Sequence, residues 1–403
     1  MRARKLIPEL LDHTPGMFRL LAAAALMSAA GNVFSSVMPD FLCNVLRVGG
    51  DVRGALETPR ELPGFLQVVM LSALAGLGRA GVISLSFWAG AASFVGLALA
   101  GASFPWFVAM MILWSASMHL FVPLRDAMAV DLAGETRRGV VLGNVGASRS
   151  LGLIVGTVSV WLVMDLAGMG YGQTFWASAV LLVAGAILCR GLVKLEHSDP
   201  DRVKPRRFVV RREYRLYYVL AVLFGARKQI FLTFAPWLLV SVYGQRAPEL
   251  ALAMGVSAGA GLFSKPLFGN LIDRFGERTV LTWESVLVFL MCVSYAAAPS
   301  VLEPVAAVFT LYGLYVLDEL LFSLAMARTT YLSRILLAKE DMVPTLGLGG
   351  TIDHAVSMAV PAGAGFLWVT AGTWSVFALA SVVALVNLFF VRRMPGHREH
   401  SAA

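Results

Sequence analysis

The residues best able to do chemistry in this chain sit in the middles of long apolar runs. They are Asn32, His119, Arg149, Arg227 with Lys228, Asp318 with Glu319, and Asp353 with His354. One charge at the centre of a bilayer costs roughly 2.5–3.5 kcal/mol on insertion scales. Six of twelve apolar runs carry such a group, which implies a water-filled path through the molecule. Arginine offers a planar fork that fits carboxylate or phosphate. A buried carboxylate or an imidazole exchanges protons when its surroundings change. The implied chemistry is binding of an anion and carriage of a proton.

The elements that must position these groups are membrane helices. The 403 residues are 58% hydrophobic and only 14% charged, outside the range of soluble domains. Runs of about 20 apolar residues cross a hydrocarbon core of roughly 30 Å as helices. Backbone polar groups in lipid must be satisfied internally, and the alternating pattern of a membrane β-barrel is absent from the sequence. The spans are read as 17–42, 63–78, 82–103, 105–132, 139–164, 173–194, 214–243, 248–269, 279–298, 301–328, 343–368 and 371–391. The stretch 44–62 is mixed in charge and reads as an outward loop.

Charge sets the orientation. Nine Lys or Arg fall between Arg190 and Arg215 against four acids, as expected of a cytoplasmic loop. The charged loops GETRRG (134–139), DRFGER (273–278) and SRILLAKED (333–341) fall on the same side. An even span count then puts both termini in the cytoplasm. The net charge of +8 therefore belongs to inside loops and does not point to nucleic acid. Cys43, Cys189 and Cys292 are isolated and give neither a disulfide framework nor a metal spacing. The first 16 residues are too polar for a signal peptide.

The basic linker 197–213 separates residues 1–196 from 214–403, each read as a six-helix bundle. The halves echo one another: Glu135 precedes Arg149 by 14 residues, and Glu340 precedes His354 by 14. Matching positions in two halves point to a pseudo-twofold with a site at the repeat interface.

The segment GNLIDRFGER (269–278) resembles a cytoplasmic loop pattern of the major facilitator superfamily of secondary transporters. Gly269, Asp273, Arg274, Gly276 and Arg278 match, while Glu277 stands where a basic residue is usual. The resemblance implies an all-α membrane fold of twelve helices in two bundles, working by alternating access, with Asp273 as the centre of a conformational latch. A carboxylate near a helix N-terminus is favourable, which supports that role. The first-half counterpart, LAGLGRAGV (74–82), lacks the Asp, so the latch is placed on the second half. The Gly-rich segment 143–156 is similar to an antiporter signature but has no Pro after a Gly; its small residues read as a close helix contact.

The family resemblance also implies that spans one, four, seven and ten line a cavity, with five and eleven nearby. The polar centres fall on that set. Entering from the cytoplasm, Arg227 and Lys228 lie about 20 Å deep, Arg149 about 15 Å, and Asp353 with His354 about 17 Å. Arg149, Arg227, Lys228, Asn32, His119, Phe231 and Tyr315 are the substrate-binding candidates. Asp318, Glu319, Asp353 and His354 are the proton-coupling candidates. Phe231 and Tyr315 join because they lie four and three residues from Arg227 and Asp318. Adjacent residues point about 100° apart, so one member of each pair faces the cavity and the other can form an interhelical ion pair.

The expectation is a proton-coupled carrier of a small organic anion. The alternative is a proton-coupled efflux carrier for lipophilic compounds, which the buried Arg and Lys argue against. No enzymatic motif, nucleotide loop, metal site or cofactor pattern is found, so neither enzyme nor primary pump is expected. The family expectation is a monomer in a bilayer, and the short loops suggest a bacterial inner membrane.

Overall fold

The computed structural model describes residues 15–99, 101–133, 138–193 and 210–395. The chain ends, residues 134–137 of the GETRRG loop with Glu135, and most of the linker lie outside them. The described residues are helical throughout, without strands. The long helices are α1 (Pro15–Asn44), α5 (Gly78–Leu99), α6 (Phe104–Ala133), α7 (Arg138–Val160), α8 (Tyr171–Val193), α9 (Arg215–Ser241), α10 (Ala247–Phe275), α11 (Glu277–Val301), α12 (Pro304–Phe322), α14 (Met342–Ala371) and α15 (Thr373–Val391). Short helices α2 (Gly50–Ala55), α3 (Glu57–Phe65) and α4 (Gln67–Ala73) follow α1, and α13 (Met326–Ile335) continues α12. Ten helical segments are long and apolar enough to cross a membrane, and a bent pair within α10 is an eleventh. The expected count of twelve is roughly consistent with this.

The broken run from Gly50 to Leu77 corrects the sequence reading. The stretch 44–62 was expected to be an outward loop and 63–78 a single span; instead 50–65 is largely helix, and Arg53, Glu57 and Glu61 are buried. The charges made it look like a loop, but they neutralise one another at helical spacing. A methyl on Gly54 would meet the Pro361 carbonyl at 2.1 Å, so α2 lies directly against α14.

The chain forms two compact units. The described residues of 1–38, 66–204 and 247–258 make one, and those of 39–65, 205–246 and 259–403 the other. In the first unit α5 packs on α6 and α8, through aromatic edges such as Phe94–Trp114 at 5.0 Å and Phe87–Phe121 at 5.3 Å. Its other seam is α1 against α7. A Cβ on Gly152 would lie 2.1 Å from the Ala25 carbonyl oxygen, and one on Gly156 would lie 2.5 Å from that of Ala29. Only glycine permits this approach, the small-xxx-small contact of membrane helices. In the second unit α9 packs on α14 and α15, and α11 on α15. Tyr295 stacks on Phe377 at 4.8 Å, with Phe231 edge-on to Tyr295 at 5.2 Å.

Candidate functional site

In the first unit, the α1–α7 seam holds Arg149 in place. Ser28 Oγ donates to the Arg149 carbonyl at 2.9 Å, one turn before Gly152. The Arg149 side chain is exposed and, among the described residues, has no hydrogen bond or ion pair. Its charged neighbours are Arg125 and Asp126 of α6. Arg125 is buried and gives its Nε to Asp126 at 2.8 Å. Asn32 is buried in the same seam. Its amide donates to the Leu153 carbonyl at 3.1 Å and to Thr157 Oγ1 at 3.0 Å, so it ties α1 to α7. His119 is half-buried, with Nδ1 2.8 Å from the Ser115 carbonyl.

In the second unit the two mid-span cations of α9 each meet an acid. Arg227 pairs with Asp318 and Lys228 with Asp353. The two pairs differ in access: the side chains of Arg227 and Asp318 are 5% and 11% exposed, those of Lys228 and Asp353 13% and 26%. Consecutive residues on α9 thus reach two different helices, α12 and α14, as their angular offset requires. Phe231 is buried in the aromatic cluster and lies 5.4 Å below the Arg227 guanidinium. Tyr315 is buried, while Glu319 is half-buried.

His354 does not join Asp353 in a shared contact. Its Nδ1 lies 2.9 Å from Glu61 of α3. Glu61 also meets Arg60 at 2.8 Å, and Glu57 takes Arg53, Arg60 and the Gln229 amide, the last at 2.7 Å. The sequence reading passed over this cluster. The available signal was the spacing of Arg53, Glu57, Arg60 and Glu61, opposite charges three and four apart, which pair on a helix.

At the latch segment, Asp273, Arg274 and Arg278 are exposed and Gly269 is half-buried. Gly276 has φ 78° and caps α11, a conformation that favours glycine. Glu277 is buried and meets Arg334 at 2.9 Å. The first half has Gly78 at φ 69°, followed by Arg79, which pairs with Asp131. Each of these positive-φ glycines is thus followed by an ion-paired residue, a base after Gly78 and an acid after Gly276.

Residues 20–337 match the family model described as Major Facilitator Superfamily. The chain belongs to the Major Facilitator Superfamily. Its many apolar helices are those of an integral membrane protein with the superfamily's transporter fold. A 167-residue stretch is 30% identical to the probable nitrate/nitrite antiporter NarK1 of Thermus thermophilus, covering 37% of this chain and 35% of that protein. A second stretch of 83 residues is 31% identical to a triacylglyceride transporter of Mycobacteroides abscessus, covering 21% of this chain and 16% of that one. The matches span about a third or less of those relatives. Among solved structures, a variant of the nucleoside transporter NupG superposes with TM-score 0.77 at 13% identity, covering 94% of this chain and 99% of that one. A D-xylose–proton symporter gives 0.69 at 14% identity, covering 95% and 98%. At such identities the likeness is one of fold.

Where the linker meets α9, its root is tied to the loop before α14. Tyr214 donates its hydroxyl to Asp341 at 2.7 Å and accepts the Leu337 amide at 3.0 Å, while Arg211 Nε meets Asp341 at 2.7 Å. The Tyr214 hydrogen bond, with Arg211 adding to it against the effect of burial, holds the Asp341 carboxyl below its usual range.

Proposed function

We propose that this transporter carries a small organic anion by alternating access, coupled to protons. Residues 1–196 and 214–403 would be the two halves that rock about the linker 197–213. The observation that carries the reading is the contrast in pairing. Arg227 and Lys228 are answered by carboxylates, whereas Arg149, at mid-span depth, has no acid bonded to it among the described residues. A guanidinium kept in an apolar span with no acid bonded to it is suited to an anion that arrives from outside.

Asp353 is the foremost proton carrier, with Asp318, Glu319 and His354 beside it as candidates. Protonating Asp353 removes the partner of Lys228, and the freed ammonium then favours an anion. Proton and anion binding are thereby linked, because each makes the other more favourable. Asn32 and His119 hold the helices that bear the site, and Phe231 and Tyr315 supply apolar backing. Asp273, with Gly269, Arg274, Gly276 and Arg278, acts as the latch.

The partial match to a nitrate/nitrite antiporter favours an inorganic oxyanion as a second reading within the same class. The shorter match to a triacylglyceride transporter favours a lipophilic substrate. Proteoliposomes with an internal pH dye decide among them, challenged in turn with small carboxylates, organophosphates, nitrate and lipophilic cations. Proton movement on adding carboxylates or organophosphates supports the first reading. A response to nitrate alone selects the second, and a response to lipophilic cations alone overturns the anion site.

A further inference from the structure

A cavity inside the second unit is lined by Arg227, Glu284, Ser285, Arg328, Ala384 and Asn387, together with apolar side chains. Arg227 commits Nη2 to Asp318. Its Nε and Nη1 are buried without a hydrogen-bond partner. On another wall, Glu284 is 2% exposed, and both of its oxygens take their contact from one nitrogen of Arg328, at 2.9 and 3.3 Å. An ionised carboxylate offers about four acceptor sites, so Glu284 has capacity that Arg328 does not fill. Arg328 Nε and Nη1 and Asn387 Oδ1 are likewise buried without a partner, so four unpartnered guanidinium nitrogens and the under-used acceptor Glu284 border one space. Buried donors left in that state are unfavourable, and charged ones more so.

We propose that Glu284 is the second counter-ion of Arg227, and that the guanidinium passes from Asp318 to Glu284 through this cavity when Asp318 is neutral. The move rests on the reading of Asp318 as a proton carrier for the event that starts it. The groups facing Asp318 are Arg227 from α9 and Glu284, Cys292 and Tyr295 from α11, with Tyr315 and Glu319 on its own helix. Arg227 is the cation among them. Of the two other acids, Glu284 shares the cavity wall with Arg227. Glu284 is a positioning residue in this scheme. It receives the cation that protonation releases, and the tie between α9 and α12 becomes a tie between α9 and α11.

The test needs no substrate. The full chain is purified in detergent as the variants Asp318→Asn, Glu284→Gln and both together, and Tm is measured. The double variant is expected to lose several degrees more than the sum of the single losses, because Arg227 then lacks both acids. Adding Arg227→Gln to the double variant restores most of that excess, which a purely structural Glu284–Arg328 pair would not produce. Additive losses overturn the proposal, as does a rescue of equal size with and without Glu284→Gln. If Glu284→Gln yields no folded protein, Ala384→Leu takes its place, narrowing the cavity while keeping every charge. The same excess with Asp318→Asn is then expected, and additivity overturns the proposal. Failure here leaves the proton-flux experiment untouched, so the two readings fail separately.

Discussion

Gly225 of α9 backs directly onto Asp353 of α14: a Cβ at position 225 would lie 2.7 Å from Asp353 Oδ1. The other carboxylate oxygen is held by Lys228, one turn further along α9. A single missing side chain therefore lets the acid settle beside the cation. Gly225→Ala is expected to push the carboxylate off Lys228 and destabilise by about 1 kcal/mol or more, in the range of overpacking. In an Asp353→Asn background, where the ion pair is already gone, the same substitution costs less. Equal losses of Tm in the two backgrounds would show that Gly225 does not serve the pair.

Neutralising the paired carboxylates separates coupling from binding. Asp353→Asn is expected to abolish proton-driven accumulation in proteoliposomes while substrate exchange persists. Asp318→Asn does the same if Asp318 is the carrier. Unchanged pH-driven uptake in both variants removes both residues from that role.

Arg149 offers the most direct test of the anion site. Arg149→Gln is expected to weaken anion-triggered proton flux about tenfold or more in apparent affinity, the scale of one lost charge-assisted hydrogen bond. Arg149→Lys keeps the charge but loses the fork and falls between. If the substrate proves neutral or cationic and its transport survives Arg149→Gln, the site assignment is wrong.

The α1–α7 seam tolerates no side chain at two positions. Gly152→Val and Gly156→Val must part the helices by more than a bond length, since even a Cβ would lie 2.1 and 2.5 Å from carbonyl oxygens. Each is expected to lower stability by about 1–3 kcal/mol or more, read as loss of Tm. Gly146→Val, at a position with open space around the Cβ, is the control and should leave the fold intact.

Asp341 gives the linker root a defined pH response. Its carboxyl is held below the usual range by Tyr214 and Arg211, so the tether contributes fully above the ordinary carboxylate pKa of about 3.9. It is lost only as pH falls through the lower folded value. Hydrogen exchange at the Leu337 amide, corrected for intrinsic rate, should stay protected down to about pH 4 and open below it. Tyr214→Phe should remove that protection at neutral pH. Protection that ends well above pH 4 would contradict the assignment.

The sequence by itself determined that this is a helical membrane protein. Continuous apolar runs admit no other backbone solution in lipid, and the basic loops and the segment 269–278 pointed to the superfamily. It also marked the polar mid-span residues, because each is costly where it stands. Three-dimensional packing decided how those residues divide. Nothing in the spacing of Arg227, Lys228, Asp318 and Asp353 says which cation meets which acid, since partners 91 and 125 residues apart meet only after α9 docks between α12 and α14. Packing likewise left Arg149 with no acid bonded to it among the described residues, and it turned 50–65 from an expected loop into largely helix with buried charges. A charged segment looks soluble when read alone. It becomes buriable when its own opposite charges, with Gln229 and His354, satisfy one another.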